Sequence, residues 1–66
     1  MGNLLIFEDR VSCSPYVSEQ GQLFPVYLVE PGTVGLVSED FPGEWVVLVG
    51  NTLLIVSKNA PVNMVT

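Results

Sequence analysis

The sequence predicts an all-β chain, a small barrel of five to six strands. Three observations carry that expectation. The apolar runs are short and rich in Val, Ile, Leu and aromatic residues, the composition that fits a pleated surface. Each run is closed by glycine, proline or asparagine in turn-forming combinations. No stretch keeps a helical spacing of apolar residues over the roughly 10–12 positions a helix needs.

The elements follow in order. Leu4–Phe7 is the first run and stops at Glu8-Asp9; Arg10–Cys13 is the second and leads into a polar Ser/Pro/Gln/Gly segment around residues 14–22. Leu23–Val29 ends at Glu30-Pro31-Gly32-Thr33. There proline presets φ near −65° and glycine supplies the positive φ of a type II turn. Thr33–Ser38 is followed by a connection over Ser38–Gly43, closed by Asp40-Phe41-Pro42-Gly43. Glu44–Val49 and Thr52–Ser57 flank Gly50-Asn51, a two-residue hairpin signal. Lys58-Asn59-Ala60-Pro61 then precedes a terminal run, Val62–Val65.

At 66 residues the chain is expected to be one domain, 1–66. It carries seven carboxylates against two cations, Arg10 and Lys58, for a net charge of −5, with no histidine and one cysteine, Cys13. So few cations argue against nucleic acid, since tracking a phosphate backbone takes several on one face. A disulfide scaffold or a Cys/His zinc site has no residues to build it. The 48% hydrophobic content is too high for a disordered acidic tail. No run approaches the ~20 apolar residues of a membrane-spanning helix, and Met1-Gly2-Asn3-Leu4-Leu5-Ile6-Phe7 lacks the basic start of a secretory signal. Gly2 is not followed by the myristoylation pattern, because Ile6 stands where Ser or Thr belongs. The expected location is the cytoplasm, or an assembly such as a virion.

The hairpin is the most informative segment. By alternation, Trp45, Val47 and Val49 share one face and Glu44, Val46 and Leu48 the other; Leu54 and Val56 oppose Leu53 and Ile55 in the same way. Both faces are apolar, whereas a sheet with one wet face alternates cleanly. Two arrangements satisfy this. The twist of a small barrel folds other segments over both faces, or one face is an exposed strip that binds another subunit. Glu44 and Lys58, at the ends of these runs, read as charges that discourage edge-to-edge aggregation.

Residues 30 onwards carry a resemblance. Glu30-Pro31-Gly32-Thr33-Val34-Gly35-Leu36-Val37, the Ser38–Gly43 connection and Glu44-Trp45-Val46-Val47 resemble the middle of Src-homology-3-like barrels: a Gly-containing turn, a strand, a loop, then Trp opening the next strand. Pro61-Val62-Asn63-Met64-Val65 is similar to the Pro-x-Asn-Tyr-Val ending of SH3 domains, with Met64 in the tyrosine's place. The resemblance implies an SH3-like barrel, a fold that serves as an assembly module or as a reader of Pro-rich peptides. Met64 weakens the aromatic groove that would read polyproline, and the aromatic-acidic N-terminal signature of peptide readers is not evident in Leu5-Ile6-Phe7-Glu8-Asp9.

Chemistry is sparse. Without histidine there is no Ser-His or Cys-His pair and no imidazole base, so no enzyme activity, cofactor or metal is expected. Cys13 reads as a small buried hydrophobe. Glu8-Asp9 and Glu39-Asp40 are neighbours in sequence, which on a strand sends them to opposite faces; they read as solvated charge. What remains is a protein-binding surface drawn from the aromatics Trp45, Tyr16, Tyr27, Phe24 and Phe41. Phe41 is the expected loop anchor, and Trp45 and Tyr27 join Val47, Leu54 and Val56 as the candidate interaction residues. The expected role is a non-catalytic assembly subunit, viral or otherwise, with a protein partner or a homo-oligomer. The alternatives are a phage-type acidic inhibitor of a basic host surface and an SH3-type reader of Pro-rich peptides.

Overall fold

The computed structural model describes residues 3–16 and 26–65. The expected strand start at residues 23–25, the polar segment from residue 17, Phe24 and Gly2 lie outside them. Among the described residues seven strands form: β1 (Asn3–Phe7), β2 (Val11–Pro15), β3 (Tyr27–Val29), β4 (Val34–Phe41), β5 (Glu44–Val49), β6 (Thr52–Ser57) and β7 (Val62–Met64). They make one curled sheet in the order β3-β2-β6-β5-β4-β1-β7, antiparallel at every pairing. The described residues are all-β, with seven strands where five to six were expected. Each of the seven apolar runs holds one strand, including Leu23–Val29 and Val62–Val65, whose three-residue strands β3 and β7 each pair along a longer neighbour at an end of the sheet.

Turn chemistry sets the connections. Glu30 C=O accepts from Thr33 N–H at 3.3 Å around Pro31-Gly32, with Gly32 at φ 88°. This corner is tied to the end of β1: Gly32 N–H donates to Phe7 C=O at 2.7 Å, and Phe7 N–H to Thr33 C=O at 2.9 Å. Gly50 alone has positive φ in the β5–β6 turn, the pattern of a type II′ hairpin.

The Ser38–Gly43 connection is not a loop. β4 runs on to Phe41, which pairs with Glu44 across a two-residue Pro42-Gly43 turn. A bulge between Val37 and Glu39 absorbs one residue and lets pairing resume. Phe41 therefore closes a strand.

The core is Leu5, Phe7, Cys13, Val29, Val47, Leu54 and Val56, packed with half-buried Val11, Val37, Trp45, Val49, Ala60 and Val62. Among the described residues no polar or charged side chain is buried. Gly35 permits the close packing at the centre. It pairs with Leu5, and a Cβ there would collide with a γ-methyl of Val47.

Candidate functional site

The two faces of the hairpin have different fates. Val47, Leu54 and Val56 are fully buried in the core, so their side chains offer no surface to a partner. Trp45 lies half-buried on the same inner face. Val26 and Leu28 at β3 are the most exposed apolar side chains among the described residues; on the face of the hairpin opposite the core, register assembles a row that spacing along the chain does not reveal. Leu4 of β1 lies opposite Leu36 of β4, Leu36 opposite Leu48 of β5, and Leu48 opposite Leu53 of β6. Four leucines thus cross four adjacent strands in direct register. Leu4 is 39% exposed, Leu36 40% and Leu48 36%, and Leu53 is half-buried.

Backbone bonds extend the row. Tyr16 N–H donates to Leu53 C=O at 2.8 Å and Val65 N–H to Leu4 C=O at 2.7 Å, and both side chains are exposed. On one side of the row Ile6 lies opposite Val34. On the other, Glu39, Val46, Ile55 and Ser14 follow one another across β4, β5, β6 and β2. Val46 belongs to this outer face yet is buried, outside the main core cluster.

Of the remaining candidates, Phe41 and Tyr27 are exposed and lie on different strands, β4 and β3, far apart in the sheet order. They do not join Trp45 in one groove by strand pairing. Trp45 instead pairs with Asp40 and with Val56, and the Lys58 ammonium sits 5.5 Å from its ring centroid while bonding to the Asp40 carboxylate. Lys58 thus covers the Trp45 ring in addition to standing at the end of an apolar strand. Arg10 Nε donates to Glu30 Oε1 at 3.3 Å, with both side chains well exposed. Such surface pairs contribute little, but they commit both cations of the chain to neighbouring carboxylates.

Cys13 is free and buried, opposite Tyr27. Burial pushes its thiol above the usual range, away from the thiolate a nucleophile needs. Among the described residues no three His, Cys, Asp or Glu side chains gather as metal donors. No family model, curated protein or solved structure matches the chain.

The sequence held half of the leucine row. Alternation in the hairpin puts Leu48 and Leu53 on faces of their strands, but joining them to Leu4 and Leu36 takes the pairing register of four strands.

Proposed function

We propose that the chain is a non-catalytic protein-interaction subunit, an SH3-like barrel in architecture, that docks through its outer sheet face as part of a larger complex or virion. The row Leu4–Leu36–Leu48–Leu53 carries the reading. Contiguous exposed apolar patches on small proteins are commonly functional, and this row is built from side chains in register on a backbone fixed by strand pairing. A sheet face presents its contacts with little ordering cost, which favours association. The Gly-containing turn at Pro31-Gly32, Trp45 at the start of β5 and the short final strand support the SH3-like assignment.

One observation favours a second reading, the acidic inhibitor of a basic surface. Glu39 and Glu44 lie exposed beside the apolar row, and a partner with cations around an apolar strip would complement them. The peptide-reader alternative has less support, because Lys58 and Asp40 occupy the surroundings of the Trp45 ring.

The test is co-purification from the native host with wild-type bait and with Leu36→Glu bait. Wild type is expected to retain partners that the variant loses. Identical partner sets for the two baits would remove the outer face from the function. Complexes that weaken steeply between low and high salt would favour the acidic inhibitor.

A further inference from the structure

We propose that the free edge of β3 takes up an extended, cationic segment of a partner protein as one further antiparallel strand. The site lies apart from the leucine row and does not depend on it.

β3 ends the sheet order, and among the described residues only β2 pairs with it. The direction of its backbone groups follows from β2. Tyr16 N–H donates to Leu53 C=O at 2.8 Å, and Ser14 lies opposite Ile55. Residues along an antiparallel strand alternate between bonding to one neighbour and to the other, and the inside-outside alternation runs unbroken from Val11 to Pro15. Ser12, Ser14 and Tyr16 therefore turn their N–H and C=O to the β6 side. Pro15, which has no N–H to give, faces away from β6. Val11 and Cys13 turn to β3, where Val29 and Tyr27 lie opposite them. Leu28 stands between those two. Its N–H and C=O point away from β2, onto the free edge.

This edge is unguarded. Sheet edges are ordinarily protected by a charge, a proline or a bulge, and Tyr27-Leu28-Val29 carries none of them. Leu28 is 61% exposed and Val26, two residues before it, 60%. The other end of the sheet is less open. Val65 N–H to Leu4 C=O and Glu8 N–H to Pro61 C=O turn Pro61, Asn63 and Val65 to β1, which leaves Val62 and Met64 on the outer edge of β7. There Val62 N–H already donates to Ala60 C=O at 2.8 Å. At Leu28 a donor and an acceptor on one residue match the paired bonds of an antiparallel strand. Val26 and Leu28 give alternate side chains of that strand an apolar contact.

Charge selects the occupant. Glu30 follows β3 with its side chain 59% exposed, and Glu8-Asp9-Arg10 connects β1 to β2 beside it. These segments set three carboxylates, Glu8, Asp9 and Glu30, against one cation, and Arg10 is already bonded to Glu30 at 3.3 Å. The chain as a whole carries a net charge of −5. A cationic strand is drawn to this end of the edge, and an acidic one, a second copy of this chain included, is repelled. In the antiparallel arrangement a Lys or Arg two positions before the residue opposite Leu28 lies across from Glu30.

The probe is a capped peptide, Lys-Thr-Val-Thr-Val-Thr-Lys, titrated to about 1 mM against the isotope-labelled full chain at low salt. Saturable binding is expected, and in the complex the Leu28 amide should exchange with solvent at least ~10-fold more slowly. The Tyr27 and Val29 amides, bonded to β2 throughout, should change less. Leu28→Pro deletes the edge N–H and is expected to weaken binding at least ~10-fold, whereas Leu28→Ser keeps that N–H and should stay within ~5-fold of wild type. Far-UV circular dichroism and Trp45 fluorescence check that both fold, and if Leu28→Pro does not, the exchange measurement on wild type decides. The same peptide with Glu in place of Lys is expected to bind at least ~10-fold more weakly. Leu36→Glu should bind the Lys peptide as wild type does, so this site and the leucine row stand or fall separately. A Leu28 amide unaffected by peptide, or a folded Leu28→Pro that binds normally, overturns the added strand. A Leu28 amide already slow to exchange without peptide shows the edge covered and overturns the open site. Equal binding of the Lys and Glu peptides overturns the cationic partner.

Discussion

The inner and outer faces of the β5–β6 hairpin are nearly indistinguishable in composition and opposite in circumstance. Val47, Leu54 and Val56 are buried in the core with Leu5 and Phe7, whereas on the outer side Leu48 is exposed and Leu53 half-buried. Hydrophobic content therefore does not tell which face of a strand is the core. What separates the faces is where the rest of the chain goes. Gly35 lies against Val47 and permits close packing on the inner side, whereas on the outer side Leu4, Leu36 and Leu48 keep part of their surface in water although Val46 beside them is buried.

Substitution can break this contrast. The largest effect is expected at Leu54, where truncation to alanine leaves a cavity with no solvent to fill it; a loss of about 2–5 kcal/mol is expected by urea denaturation. The same change at Leu48 is the control, and equal losses at the two sites would erase the distinction between the faces. Gly35→Ala comes next, at about 1–3 kcal/mol, because the new methyl group must push Val47 out of its place. Coupling can be tested with Val47→Ala, which is expected to relieve part of that penalty; additive losses would show that Gly35 is not held by Val47.

Cys13 probes the inner face through pH. Burial raises its folded-state thiol pKa, so on alkaline titration the unfolded chain loses its thiol proton first. The unfolded state then binds fewer protons than the folded one, and stability falls as pH rises above the ordinary thiol range. Cys13→Ala is expected to cost about 1 kcal/mol at neutral pH and to flatten that alkaline slope. A wild-type slope that persists in the variant would assign it to other groups.

Effects shrink on the outside. Lys58→Ala removes both the Asp40 contact and the cation over Trp45, and a loss of about 0.5–1 kcal/mol is expected. A red shift of Trp45 emission would accompany it as the ring gains water. The smallest change is expected at Leu48→Ser, within about 0.5 kcal/mol of wild type by urea denaturation. A large loss there would place Leu48 in the fold's own packing and weaken its case as a docking residue.

Much of the strand plan was legible because turns are local. Pro31-Gly32, Pro42-Gly43 and Gly50-Asn51 each carry their conformational instruction within four residues, and all three glycines have the positive φ that those turns use. The extension of β4 to Phe41 was not legible. Ser38, Glu39 and Asp40 are polar and read as a connection, and only pairing with β5 through a bulge keeps them in the sheet. The candidate site was legible in part. The hairpin was recognisable as apolar on both faces, but Val47, Leu54 and Val56 turned inward and the exposed leucines lie opposite them.

The sequence alone determined that the chain is all-β, where three of its turns fall, and that it holds more apolar surface than one small interior needs. Those are properties of short segments, set by backbone preference and side-chain alternation. The tertiary structure decided which side of the hairpin became the interior and which leucines came to stand in one row. Both depend on strand register, in which a shift of one residue exchanges every inward side chain for an outward one. That register is fixed by pairings between residues as distant as Leu4 and Leu36, and no local signal encodes it.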